Sequence, residues 1–218
     1  MLEVSGTLCG LALGIALLFD AVTDPLTGSL SDNWKSKWGR RHPFMYASAI
    51  PLGICFYFLF VPPALSEMGL FIWLSVFAVL TRAAMTLYHV PHIALGAELT
   101  SNFEERTVVV SFRQGFSTVG NLASVALAFL VFFVSTEEFA NGQLNQAAYP
   151  PFALTLAILM VITIWISGAG THRQIPYLPP GPAVPEKFSA GRVIREAAQA
   201  LSNRSFKWLF FGVVVVFL

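Results

Sequence analysis

The stretch Gly6–Leu30, GTLCGLALGIALLFDAVTDPLTGSL, is apolar or small except for a few hydroxyls and two acids, Asp20 and Asp24. It is longer than the ~20 residues a helix needs to cross about 30 Å of hydrocarbon, so it reads as a membrane-spanning helix. A carboxylate at mid-bilayer costs about 2.5–3.5 kcal/mol on the insertion scale, and two unpaired ones about 5–7 kcal/mol. Spacing i, i+4 sets both on one face of the helix. Such a pair persists where it faces a bundle interior or an aqueous cavity, and a cation or proton can neutralise it there. Function therefore starts from these two residues.

Composition sets the class. Apolar residues make up 56% of the 218 and charged residues 11%, with a mean hydropathy of +0.67. Soluble domains carry about 25% charged residues. Five long apolar runs stand out: Gly6–Leu30, Phe44–Val61, Leu70–Leu99, Val108–Val134 and Pro151–Ala169, with a shorter sixth at Phe206–Leu218. The expectation is an all-α integral membrane protein with five full transmembrane helices and a truncated sixth. Cys9 and Cys55 fall inside apolar runs and read as small buried hydrophobes rather than a disulfide or metal site.

The cations are distributed unevenly. Lys35, Lys37, Arg40 and Arg41 lie in the first loop and Arg106 in the third, while Arg173, Lys187, Arg192, Arg195, Arg204 and Lys207 lie in or beside the fifth. The second and fourth loops, residues 62–69 and 135–150, carry no Lys or Arg. This is the positive-inside pattern, and it places loops one, three and five in the cytoplasm. The N-terminus then starts outside, with no basic signal-peptide region before the first span. A helix entering from that side reads as the continuation of a longer chain, and FFGVVVVFL ends in mid-span. The chain is expected to be an N-terminal fragment of a larger transporter.

Three domains follow: a bundle over 1–170, a cytoplasmic linker over 171–205, and the start of a second bundle over 206–218. The linker is Pro-rich (PYLPPGPAVPEKF) and leads into SAGRVIREAAQALSNRSFKW, which reads as an amphipathic surface helix. Pro91 should kink the third span, and Gly115, Ser117, Gly120, Ala123 and Ser124 give the fourth a small-residue face suited to packing in lipid.

Depth counting places the polar residues. Asp20 lies 11 residues before Ser31, or about 16 Å from that end. His89 lies 11 residues before Thr100 on the third span, hence at similar depth. Pro25 cannot donate to the carbonyl of Ala21. Two carboxylates, that carbonyl and the Thr23 hydroxyl form a set of hard oxygen ligands suited to Na⁺ or a proton. Arg113, about six residues into the fourth span, reads equally as a substrate ligand or as a snorkelling side chain. Arg82 is placed near the outer end of the third span, within snorkelling reach. His89 and His92 line a polar layer rather than bind zinc. Asp32, Gly39, Arg40, Arg41, Glu98, Glu105 and Arg106 supply charge pairs for a cytoplasmic gate.

These motifs resemble a family. Asp20-Ala21-Val22-Thr23-Asp24-Pro25, followed by Gly28, Ser31-Asp32 and Gly39-Arg40-Arg41, is similar to the second helix and following loop of glycoside–pentoside–hexuronide:cation symporters of the major facilitator superfamily. Pro91-x-x-Ala94-Leu95-x-x-Glu98-Leu99-Thr100, Glu105-Arg106-Thr107 and Arg113 resemble that family's fourth and fifth helices. The resemblance implies a twelve-helix protein of two six-helix halves that binds near the midplane. It assigns the coupling cation to Asp20 and Asp24 with help from Thr23 and Thr86, and substrate contact to Arg113. The chain departs from the melibiose-permease branch at His89, where that branch has a sugar-binding aspartate, and at Ile93, where it has a stacking tryptophan. Lysophospholipid symporters share a similar loop.

Taken together, the sequence reads as part of a cation-coupled symporter for a sugar or related polar metabolite, with Asp20, Asp24, Thr23 and Thr86 at the ion and Arg113 and His89 near substrate. Na⁺ or H⁺ is the coupling ion, with no cofactor and no metal beyond a coupling Na⁺. The expected partners are a small-molecule solute and the lipid bilayer, without nucleic acid, in a monomer of the bacterial inner membrane or plasma membrane. An amphiphile symporter is the alternative, and an intramembrane acid–base enzyme is the third reading.

Overall fold

The computed structural model describes residues 4–179, 191, 195 and 199–217. The chain divides into two compact units, Met1–Ala183 and Val184–Leu218. In the first unit the apolar runs form α1 (Gly6–Asn33), α2 (His42–Phe60), α3 (Glu67–Glu98), α4 (Phe103–Leu127) and α5 (Tyr149–His172). All five are long and apolar enough to cross a membrane, as the hydropathy implies. The second unit contains α6 (Arg204–Phe217). The amphipathic segment and the Pro-rich linker lie mostly outside the described residues.

Polar caps extend the helices beyond their apolar runs. Ser66 accepts from the Gly69 amide, so α3 begins at Glu67 rather than Leu70. Asn102 accepts from the Glu104 amide, and Glu104 and Glu105 occupy the first turn of α4, where the helix dipole favours acids. Proline at the start of α2 and α5 is preset for a first turn. Pro25, Pro51 and Pro91 lie inside α1, α2 and α3 without ending them. α4 passes into one π-helical turn, Ala128–Phe132.

α3 packs against both α1 and α2, and α2 packs against α5. In lipid no hydrophobic force pulls helices together, so close contact depends on small residues. Ala12, Ala16, Ala49, Ala84, Ala153 and Ala157 are accordingly buried. Ala49, Leu52, Ala84 and Ile164 form the core where α2, α3 and α5 meet. Gly53 admits Val161 and the Ala157 carbonyl, and Gly168 admits the ring of Tyr46; a Cβ on Gly168 would stand 2.7 Å from that ring. α4, by contrast, buries none of its residues.

One seam has a fixed register. The Ser5 amide donates to Glu67, Arg82 to Asp20, and Thr86 to Asp24, each across 62 positions. Gly28 faces Val90 at the same separation. α1 and α3 therefore run parallel and in step over 23 residues, or about 34 Å.

α2 and α5 are tied together at the end where α1 and α3 finish, which carries the basic first loop. His42 is fully buried, and its Nε2 lies 3.0 Å from the Thr171 hydroxyl. The Tyr46 hydroxyl lies 3.3 Å from Nδ1 of His172, and Trp38 sits edge-on to both rings. In sequence, His42 stands before Pro43 at the start of the second apolar run and shows no partner. Its partners come from an element about 130 residues away, a pairing that spacing cannot reveal.

The Gly168 approach is directly testable. Gly168→Val should lower the unfolding temperature of the purified protein in detergent, because overpacking costs about 1–3 kcal/mol. An unchanged temperature would mean that α2 and α5 are not held in contact there.

Candidate functional site

Asp20 stands 14 residues after the start of α1 and 13 before its end, so it lies at mid-helix. One of its oxygens, Oδ2, pairs with Arg82 Nη1 at 2.5 Å. The other, Oδ1, is buried without a hydrogen-bond partner. One turn further along, Thr86 donates its hydroxyl to Asp24 Oδ1 at 2.7 Å. Thr86 is itself 6% exposed, so the hydroxyl is presented from the packed face of α3. The acids at 20 and 24 thus meet side chains at 82 and 86, two i, i+4 ladders facing each other.

Arg82 corrects an expectation. The apolar run alone sets it near the outer end of the third span, within snorkelling reach. With α3 starting at Glu67, it lies 15 residues from one end and 16 from the other. That is about 22–24 Å from the two ends, beyond the reach of a side chain seeking the interface. A permanently charged guanidinium at that depth needs an anion, and Asp20 supplies it. The matching four-residue spacing on the two spans was the available signal.

Thr23 does not join this seam. Its hydroxyl donates back to the Phe19 carbonyl at 3.2 Å, with the Asp20 carbonyl at 3.5 Å. It lies between the two acids on α1 and could offer only its lone pairs to an ion. Asp20, Asp24 and Thr86 remain a set of hard oxygen donors suited to an alkali cation or a proton.

His89 and Arg113 are both exposed. His92 lies within electrostatic range of both and stacks on Tyr88 with centroids 5.0 Å apart. An apolar cleft of about 320 Å³ lies between α2 and α5, lined by residues such as Ile50, Phe58, Leu154 and Val161. It carries no charged side chain and is a poor seat for a polar solute.

At the basic end, Glu98 Oε1 accepts from Arg40 and Arg41, both at 2.8 Å. Arg41 also pairs with Asp32 and donates to the Ser31 hydroxyl at 2.7 Å. Gly39 makes this possible: its φ of +74° is a left-handed turn, and a Cβ there would meet Ile175 at 3.3 Å. Five of the seven residues expected at a gate therefore meet or shape one cluster joining the ends of α1 and α3. Glu105 and Arg106 do not join it. Glu105 accepts from the Thr100 hydroxyl at 2.5 Å, and Arg106 donates to the carbonyls of Ala97 and Thr100. Both are exposed at the α3–α4 turn, where these local partners hold them.

A family model described as MFS/sugar transport protein matches residues 1–218. The chain belongs to that family. An uncharacterized symporter of Synechocystis is 37% identical over 59% of this chain and 25% of its own length. A putative glycoside/cation symporter of Escherichia coli, YagG, is 32% identical over 57% of this chain and 27% of its own. Sodium-dependent lysophosphatidylcholine symporter 1-A of zebrafish is 30% identical over 53% of this chain and 22% of its own. The chain spans about a quarter of the length of these relatives. Family membership makes this MFS protein a multi-pass integral membrane chain of a transporter family, not an enzyme, and bears out the resemblance drawn from its motifs.

The two acids at the basic end of this MFS protein should behave differently. Glu98→Gln leaves two arginines sharing a neutral amide; a fully buried pair costs about 3–5 kcal/mol to break, and this half-buried one should cost about 1–3 kcal/mol. Glu105→Gln, at an exposed turn, should cost about 0.5 kcal/mol or less. Thermal unfolding of both variants side by side checks this, and equal shifts would rule out the cluster as a fastening.

Proposed function

We propose that the full-length protein is a symporter that uses Na⁺ or H⁺ to drive uptake of a sugar or related polar metabolite. The observation that carries this reading is the pair of mid-helix carboxylates, Asp20 and Asp24, each facing a polar side chain of α3. Structural needs alone explain such a pair poorly, because two hydrophobic residues would pack the seam without desolvating charge. The coupling ion sits between the carboxylates with Thr86 as a neutral ligand, and Thr23 contributes from α1. Arg113 and His89 face the solute. Asp32, Gly39, Arg40, Arg41 and Glu98 form the cytoplasmic gate, on the side that the basic loops assign to the cytoplasm; Glu105 and Arg106 steady the adjoining turn.

Coupling follows from linkage. An ion that binds one conformation better shifts the population toward it, and a solute preferring that conformation gains affinity by the same factor. Likeness to YagG, named a putative glycoside/cation symporter, favours a sugar-type solute. Likeness to the zebrafish lysophosphatidylcholine symporter keeps one second reading, an amphiphile as cargo. The His89 and Ile93 positions, which differ from the melibiose-permease branch, belong to the half of the site that separates the two.

In proteoliposomes of the full-length protein, Asp24→Asn should reduce ion-driven accumulation about tenfold or more, a loss of at least ~1.4 kcal/mol of coupling, while membrane insertion is unchanged. Accumulation at the wild-type level would overturn the ion-site assignment. Competition by lysolipid but not by glycosides would move the solute to the second reading.

A further inference from the structure

Arg82 is the one feature of the α1–α3 seam that a cation site does not need. Its guanidinium already occupies Asp20 Oδ2 at 2.5 Å. Among the described residues this is its only ion pair, and no other cation pairs with Asp20. The two carboxylates and the guanidinium leave a net charge of −1, which one monovalent cation neutralises. Oδ1 of Asp20 is buried and has no partner, so half of that carboxylate remains available to a second positive charge. The Arg82 side chain is 41% exposed, so its pairing with Asp20 is not sealed by packing.

Resting on the ion-site reading above, we propose that Arg82 is a tethered cation that competes with the coupling ion for Asp20 and thereby sets the protein's cation affinity. An ion on Asp20 Oδ1 shares one carboxylate with the guanidinium on Oδ2, and repulsion between the two positive charges weakens its hold until Arg82 leaves. Arginine keeps its charge at every physiological pH, so the competitor is always present. Its effect is a population factor: if Asp20 is held by Arg82 for all but a fraction f of the time, the apparent dissociation constant rises by 1/f. Asp24 and Thr86 are untouched by this competition, because they pair one turn away. The solute-facing residues play no part in it.

The experiment uses the purified full-length protein in detergent without solute. NaCl replaces choline chloride at constant ionic strength, and intrinsic tryptophan fluorescence and thermal stability report binding. Arg82→Gln should lower the half-saturating Na⁺ concentration at least about tenfold, or create a response where the parent has none. Arg82→Met, which keeps an apolar stem, should do the same and serves if the glutamine variant does not fold. Arg82→Lys retains the charge and should stay well short of that gain. In an Asp20→Asn background, Arg82→Gln should give no gain, since nothing is left to compete for. Unchanged or weaker Na⁺ binding in both neutral variants overturns the proposal, as does an equal gain with lysine or a full gain without Asp20. If the neutral variants gain nothing while Asp24→Asn still abolishes the response, the tether falls and the ion site stands. If Asp24→Asn keeps the full response as well, both fall.

Discussion

The structure depends most on the fixed register between α1 and α3. Two parallel helices of equal rise keep the same residue separation wherever they touch, provided that their axes stay nearly aligned. Here the separation holds from the Ser5–Glu67 contact to the Gly28–Val90 contact. It puts two acids opposite an arginine and a threonine, and it lets a mid-membrane charge be matched without a second polar helix. Small residues permit the approach: Ala12, Ala16 and Ala78 are buried on these two helices. The polar contacts then fix the register, since a displacement of one residue would leave Arg82 facing an apolar neighbour of Asp20. Small residues bring the helices close, and charge decides where they stop.

The remaining elements fall into place around this seam. α2 packs on α3 and carries α5 with it, and the Gly53 and Gly168 approaches bring those two helices close. The Arg40–Arg41–Glu98 cluster closes the same seam at its basic end, tying Ser31 and Asp32 of α1 to the last residue of α3. α4 stands apart, with no residue buried, although Arg106 holds its first turns to the end of α3. Arg113 lies on this helix and is itself exposed.

Much of this was legible beforehand, for identifiable reasons. Spans are legible because hydropathy is summed over some twenty residues and tolerates local error. Asp20 and Asp24 are legible because charge inside an apolar run is costly wherever it occurs. Partners are harder. Arg82 was misplaced because the cap at Ser66 and the acid at Glu67 are polar, and an apolar window begins too late to include them. Glu105 and Arg106 belong by composition with Arg40 and Glu98, but charged residues at a tight turn find the nearest hydroxyl and carbonyl first. His42 carries no such signal, because a histidine before proline reads as punctuation. Its burial depends on Thr171, and no spacing rule joins residues that far apart.

The cluster at the basic end also changes what the membrane surface meets. As a nascent segment, the first loop presents four positive charges, Lys35, Lys37, Arg40 and Arg41, and orientation is decided at that stage. After folding, Arg40 and Arg41 are withdrawn and matched by Asp32 and Glu98. Of the four, only Lys35 and Lys37 remain exposed, free to meet anionic headgroups. The same two arginines therefore serve twice, first as a topogenic signal and then as an internal clasp. A lipid surface sensing the finished protein finds half the charge that the insertion machinery read.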